Sequence, residues 1–179
     1  MKALLLTGRP GIGKTTVIRR VAEALKGERI SGFYTEEVRS QDERTGFRIV
    51  TLDGSSRLMA STDIHSPHRV GKYGVDVAAI DAVAGLTLAP NSAQVYLVDE
   101  IGKMECASKT FVNAVRRLFA ADRVVVAAVA RKGEGLIAEV KRLPGIELWE
   151  VTAENRDRLS KEVTDWVRKQ PVRPAPVRS

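Results

Sequence analysis

The chain has 179 residues, 44% hydrophobic and 28% charged, which suits a folded domain burying roughly two-thirds of its unfolded surface and excludes a disordered or repeat protein. Lys plus Arg number 29 against 22 Asp plus Glu, and this charge of +7 suits a polyphosphate ligand as well as nucleic acid; aromatics at 5% leave few stacking platforms, so nucleic acid stays open but less favoured. The single cysteine, Cys106, excludes an internal disulfide, and no run approaches the roughly 18 apolar residues of a membrane span, so a cytoplasmic chain with no membrane partner is expected.

Lys2 to Thr7 is an apolar run closed by Gly8, too short for a signal-peptide core and fitting a buried strand. Lys14 to Leu25 then sets Val17, Ile18, Val21, Ala22 and Leu25 on one helical stripe. Gly32 to Arg39 and Phe47 to Leu52 predict two strands joined by the polar turn Ser40 to Gly46, and Asp53-Gly54 signals a hairpin before Arg57 to Ala60. Ser61 to Gly74, rich in Ser, Pro, Gly and His, is expected to be an ordered loop or lid. A helix from about Val77 to Ala84 leads into alternation. Strands at Val95 to Val98, Val124 to Ala130 and Leu148 to Val151 are separated by helices at Lys109 to Phe119 and Leu136 to Leu143, and Asn155 to Arg168 closes as a helix. Such alternation predicts an α/β fold, a mainly parallel sheet with helices on both faces and an antiparallel elaboration. Residues 1–169 are expected to form one domain, with 170–179 a Pro-rich tail that is frayed or extended.

Gly8-Arg9-Pro10-Gly11-Ile12-Gly13-Lys14-Thr15 matches G-x-x-x-x-G-K-[ST], directly after a predicted strand and before a predicted helix. Glycine lets backbone amides converge on phosphate with no Cβ in the way, and the helix N-terminus adds its positive end. Lys14 supplies a cation for the β and γ phosphates, and Thr15 offers its hydroxyl to Mg²⁺. Pro10 stiffens the loop; Arg9 either touches phosphate or is solvated. The plain alternative is a glycine-rich turn that happens to hold Lys and Thr.

Val95 to Glu100 is a buried-strand pattern ending in two carboxylates. Asp99 is a candidate to hold Mg²⁺ through water, and Glu100 to orient and polarise an attacking water. A solvated acidic strand end is the competing view. Asp99-Glu100-Ile101-Gly102 also spells D-x-x-G, but no N-K-x-D follows, which disfavours strict guanine recognition. Lys103 and Glu105 are either pocket residues or ordinary surface charges. Cys106 reads as a small buried residue, and His65 and His68 lack the further ligands of a metal cage.

These residues resemble the THEP-type nucleoside-triphosphatases, the family that includes the cancer-related nucleoside-triphosphatase. The resemblance is carried by Gly8 to Thr15, Gly32 to Arg39, Val70 to Asp76, Asp99 to Glu105 and Asn155-Arg156-Asp157, and covers the chain to about residue 169. It implies a RecA-like P-loop sheet and Mg²⁺-dependent hydrolysis of several nucleoside triphosphates with weak base selectivity and weaker action on diphosphates. It also implies nucleotide contacts from the P-loop and from the segment Asp99, Glu100, Ile101, Gly102, Lys103, Met104, Glu105 and Cys106. Similar proteins tend to carry a proline-containing turn where this chain has Ala130-Arg131-Lys132-Gly133. Arg131 or Lys132 is a candidate internal arginine finger, or else an exposed basic turn. Asn155 and Arg156, beyond another strand, are candidate base or ribose contacts. A nucleotide kinase is the main alternative, although Arg131 to Gly145 is short for a kinase lid; a nucleic-acid-stimulated ATPase is the other. The chain is expected to act as a monomer.

Overall fold

The structure is a computed structural model and describes residues 2–90, 92–121 and 123–171. In chain order the elements are β1 (Lys2–Thr7), α1 (Lys14–Ala24), β2 (Ile30–Ser40), β3 (Glu43–Thr51), β4 (Ser56–Ser61), β5 (Arg69–Val70), β6 (Tyr73–Val75) and α2 (Val77–Thr87). Then follow β7 (Val95–Ile101), a 3-10 turn at Glu105–Ala107, α3 (Lys109–Ala120), β8 (Val124–Val129), α4 (Leu136–Val140), β9 (Ile146–Glu150) and α5 (Arg156–Arg168). The strands form one sheet in the order β5-β6-β4-β3-β2-β7-β8-β1-β9.

Strands β1, β7 and β8 are apolar on both faces because both faces are covered. In β1, Ala3 and Leu5 join one core cluster while Leu4 and Leu6 join the other, the period-two alternation of an extended chain. Helices α1 and α5 cover the Leu4 and Leu6 side through Val17, Ile18, Val21, Leu159, Val163 and Val167. Helices α2, α3 and α4 cover the other through Ile80, Val83, Phe111, Val115, Leu118 and Val140. Each such side chain contributes about 1.5–3 kcal/mol on burial, enough to fix which face of each helix turns inward.

Strands β2, β7, β8, β1 and β9 pair parallel, so their carboxyl ends share one edge of the sheet. Strand β8 lies between β1, which leads into the glycine-rich loop, and β7, which carries the acids. The three antiparallel strands expected from sequence are β2, β3 and β4, and β6 and β5 extend the same sheet beyond them. The polar turn expected over Ser40 to Gly46 shrinks to Gln41-Asp42, both at positive φ, because the flanking polar residues continue the ladder. Glu37 pairs with Arg44 there at 2.8 Å.

The segment Ser61 to Gly74, expected as a loop or lid, contains β5 and the start of β6. Tyr73 packs edge-on against Phe47 at 5.2 Å, and Arg44 Nε donates to its hydroxyl at 3.0 Å. Strands of two and three residues are too short to show an alternation, so these tertiary contacts decide them. Most of the Pro-rich tail, 172–179, lies outside the described residues.

Candidate active site

The loop after β1 turns on Gly8, Gly11 and Gly13, whose φ values are 155°, 74° and 117°. A Cβ on Gly8 would stand 2.8 Å from the Val151 carbonyl oxygen, so the close approach to the end of β9 needs glycine. Ile12 N–H donates to the Arg9 carbonyl at 3.2 Å, and Val17 N–H to that of Gly13 at 3.0 Å, opening α1. Ile12 packs onto the core, while Arg9, Pro10 and Gly11 are exposed. Lys14 is only 7% exposed: its Nζ donates to the carbonyl oxygens of Gly8 at 3.3 Å and Arg9 at 3.4 Å and lies 3.7 Å from Glu100 Oε2.

Asp99 is fully buried near the end of β7. Its Oδ2 accepts from Thr35 N–H and from Thr35 Oγ1, both at 3.2 Å. Oδ1 is buried with no hydrogen-bond partner among the described residues. Burial pushes the Asp99 carboxyl up from its ordinary range, against the pull of the Thr15 hydroxyl, Thr35 and the Lys14 charge. Thr35 is a site residue the sequence did not mark: a β-branched residue in a strand is ordinary, and only the pairing of β2 with β7 brings it to Asp99. Glu100 is 30% exposed. Burial raises its pKa, the Lys14 ammonium lowers it, and the Asp99 charge raises it.

Beyond Glu100 the predicted nucleotide segment divides. Ile101 is buried in the core, Gly102 is buried, Met104 and Cys106 pack against the core, and Lys103 is exposed. Glu105 is 5% exposed, and burial beside Glu100 and Asp99 pushes its carboxyl up to about 8. Its side chain lies inside the fold and not at the surface. Burial and the Glu105 charge push the Cys106 thiol up to about 12, as a structural cysteine requires.

Arg131 and Lys132 are exposed. The cation whose charge reaches Glu100 from this side is Lys141, at the end of α4. Asn155 braces its own loop: Oδ1 accepts from Thr152 N–H and Nδ2 donates to the Glu150 carbonyl, both at 2.8 Å. Arg156 is exposed beside the glycine-rich loop, its Cδ 3.6 Å from where a Gly13 Cβ would stand. A groove of about 650 Å³ runs along α1 past Arg19, Lys26, Tyr34 and Leu52, but Lys14, Asp99 and Glu100 do not line it. Convergent charge, not volume, marks the candidate site.

Known proteins resemble this chain in sequence and in fold. The sequence model of the NTPase family matches residues 3–164. The nucleoside-triphosphatase THEP1 of Thermotoga petrophila is 39% identical over 162 residues, which cover 89% of each chain. The crystal structure of THEP1 from Aquifex aeolicus superposes with a TM-score of 0.86 at 39% identity, covering 93% of this chain and 99% of that one. The solution structure of a human cancer-related nucleoside triphosphatase gives 0.81 at 34% identity, covering 96% and 100%. No described helix is long and apolar enough to cross a membrane. With the P-loop sheet, the paired acids and relatives along nearly the whole chain in agreement, the protein belongs to the THEP-type nucleoside-triphosphatase family and is a nucleoside-triphosphate hydrolase.

Proposed function

We propose that this enzyme hydrolyses nucleoside 5′-triphosphates with Mg²⁺ and low base selectivity, acts more weakly on diphosphates, and works as a cytoplasmic monomer of one domain over residues 1–169. The observation that carries the chemistry is the cluster at the sheet edge: Lys14 Nζ lies 3.7 Å from Glu100 Oε2, next to a buried Asp99 whose Oδ1 lacks a partner. An unpaired buried oxygen costs about 1–3 kcal/mol or more if it is charged. Asp99 Oδ1 and the neighbouring Thr15 hydroxyl fit a hydrated divalent cation, which supplies donors to the one and takes an oxygen from the other.

In this reading the P-loop amides bind the β and γ phosphate oxygens, and Lys14 exchanges its two neutral carbonyl partners for phosphate charge. Asp99, held by Thr35, and Thr15 would hold Mg²⁺, which when bound offsets charge on the β and γ phosphates. Glu100 orients a water and accepts its proton on a carboxylate oxygen. The water oxygen forms the new bond to the γ phosphorus as the bond to the bridging oxygen breaks, and the electron pair leaves with the diphosphate. Weak base selectivity is supported by exposed Arg156 beside the loop, because a guanidinium stacks on any base.

A kinase needs a lid that closes over a second substrate. The segment available here is pinned instead, with Leu136, Ile137 and Val140 buried and Arg116 gripping both carboxylate oxygens of Glu139 at 2.7–3.2 Å. Phosphate release from ATP, GTP, CTP, UTP and TTP, with and without Mg²⁺ and with nucleoside monophosphates as acceptors, tests the proposal. We expect release from all five, dependent on the metal and without transfer. A preference above about a hundredfold in kcat/KM for one base, roughly 2.7 kcal/mol, overturns the selectivity claim, and phosphorylated acceptor overturns the hydrolytic one.

A further inference from the structure

We infer that Arg19 is a positioning residue of the hydrolytic centre, fastening the helix that opens with Lys14 and Thr15 to the strand whose Thr35 holds Asp99. The inference rests on the hydrolase reading above, with Thr15 and Asp99 sharing the metal. Arg19 follows Thr15 by one turn of α1 and so lies on the same face of that helix. Its guanidinium carbon stands 4.9 Å from the centre of the Tyr34 ring, and its Nη1 is 3.7 Å from Glu36 Oε1. Tyr34 and Glu36 are the two neighbours of Thr35, and in an extended strand their side chains leave the face opposite to its own. One arginine thus grips β2 on either side of Thr35 from behind, while Thr35 N–H and Oγ1 donate to Asp99 Oδ2 in front, both at 3.2 Å.

The grip matters because the ladder stops short of it. Pairing of β2 with β7 runs in register from Ile30–Val95 to Phe33–Val98 and ends there, and the pairing of β7 with β8 shifts between Val98 and Ile101. Thr35 and Asp99 therefore meet just past the regular sheet, where backbone pairing between their strands no longer fixes their separation. On its other side β2 still pairs with β3, Tyr34 with Val50 and Glu36 with Arg48, which keeps the hairpin regular but does not join it to the phosphate loop. Arg19 makes that join, with the Tyr34 ring packed against the cluster that holds Val17 and Ile18 of α1. The Arg19 and Glu36 side chains are 54% and 37% exposed, so the pair adds little to stability. What it fixes is the distance from the Thr15 hydroxyl on α1 to the Asp99 carboxylate on β7, as outer support does for ligands of a metal. Arg20, the next residue, turns instead to Asp157 of α5 at 3.9 Å.

The test measures the affinity for a non-hydrolysable triphosphate by calorimetry, first in EDTA and then across a Mg²⁺ series, with steady-state phosphate release alongside and thermal midpoints to verify folding. Arg19→Ala, Arg20→Ala, Asp99→Asn and the double variant Arg19→Ala/Asp99→Asn are compared with wild type. For Arg19→Ala we expect the Mg²⁺ concentration that gives half-maximal tightening, and half-maximal rate, to rise at least about fivefold, while metal-free affinity holds within about twofold. Arg20→Ala, which removes the same charge one residue away, stays within about twofold in every measurement. In the Asp99→Asn background Arg19→Ala adds less than about twofold, because the acid that it steadies is gone. A rise below about threefold in folded Arg19→Ala, or losses that add in full in the double variant, overturns the inference. So does an equal loss of metal-free affinity or an equal effect of Arg20→Ala, since either makes Arg19 a general attractor of phosphate. A wild type whose triphosphate binding and phosphate release ignore Mg²⁺ overturns the metal reading as well; a Mg²⁺-dependent wild type with an unshifted Arg19→Ala overturns this inference alone.

Discussion

Asp99 is fully buried with one carboxylate oxygen unpaired, whereas Glu100, the next residue, is 30% exposed and lies 3.7 Å from Lys14. Their variants are therefore expected to differ in kind. Glu100→Gln keeps size and hydrogen bonding but removes the base, and steady-state assays should show kcat lowered by about 10² to 10⁴ with nucleotide affinity held or improved. Full hydrolysis by that variant would move the water-activating role elsewhere. Asp99→Asn instead raises the Mg²⁺ concentration needed for half-maximal rate, and Thr35→Val does the same to a smaller degree by removing one of two hydrogen bonds to Oδ2, each worth about 1.5–3 kcal/mol to a charged group. A metal titration with unchanged midpoint for both would remove Asp99 from the metal shell. Glu105 gives a test by stability. Its folded pKa is raised from 4.5 to about 8, so its stabilising contribution is fully present below about pH 4.5 and is lost as pH rises through 8. Glu105→Gln cannot ionise and mimics the protonated acid. Denaturant melts at pH 5, 6.5 and 8.5 should show the variant gaining on the parent with rising pH, by on the order of 1–3 kcal/mol at the top. A constant difference would mean that the carboxyl ionises as freely in the folded chain as in the unfolded one.

Among the elements, the contact of β2 with β7 joins fold and site most directly. Gly32 has φ 134°, and a Cβ there would fall 1.8 Å from the Leu97 carbonyl oxygen, so any side chain forces the two strands apart. The same pairing brings Thr35, two residues after Phe33, to Asp99, one residue after its register partner Val98. Gly32→Ala is expected to destabilise by about 3 kcal/mol, lowering the melting temperature by about 6–12 °C for a chain of this size. Its residual activity should need more Mg²⁺ than wild type. A melting temperature within about 2 °C of the parent would show that the strands part without penalty. Strand β8 acts differently. Val124 to Val129 are buried throughout, and by standing between β1 and β7 the strand sets the distance across which Lys14 meets Glu100.

Among the described residues, Arg19, Arg20, Arg39, Arg44, Arg116, Arg158 and Arg168 each lie within 4 Å of an acid. Exposed pairs of this kind add about 0–1 kcal/mol each to stability, and an arginine paired with an acid offers less net charge to a phosphate backbone. Adding single- or double-stranded nucleic acid is therefore expected to change the rate of phosphate release by less than about twofold; a large, salt-sensitive stimulation would favour a nucleic-acid-driven ATPase. The sequence by itself determined the strand–loop–helix order around Gly8 to Thr15, the acidic end of the strand at Asp99-Glu100 and the alternation behind the parallel sheet, because these depend on residue type and spacing along one short stretch of chain. Only the tertiary structure decided that β8 stands between those two strands, that Thr35 holds Asp99, that Glu105 is buried, that Asn155 braces its own loop and that Lys141 holds the carbonyls of Ala130 and Arg131. Each of these is a contact between segments far apart in the chain, or a burial created by such contacts. Local periodicity carries no record of which strand lies beside which, nor of the dielectric around a carboxyl group once they meet.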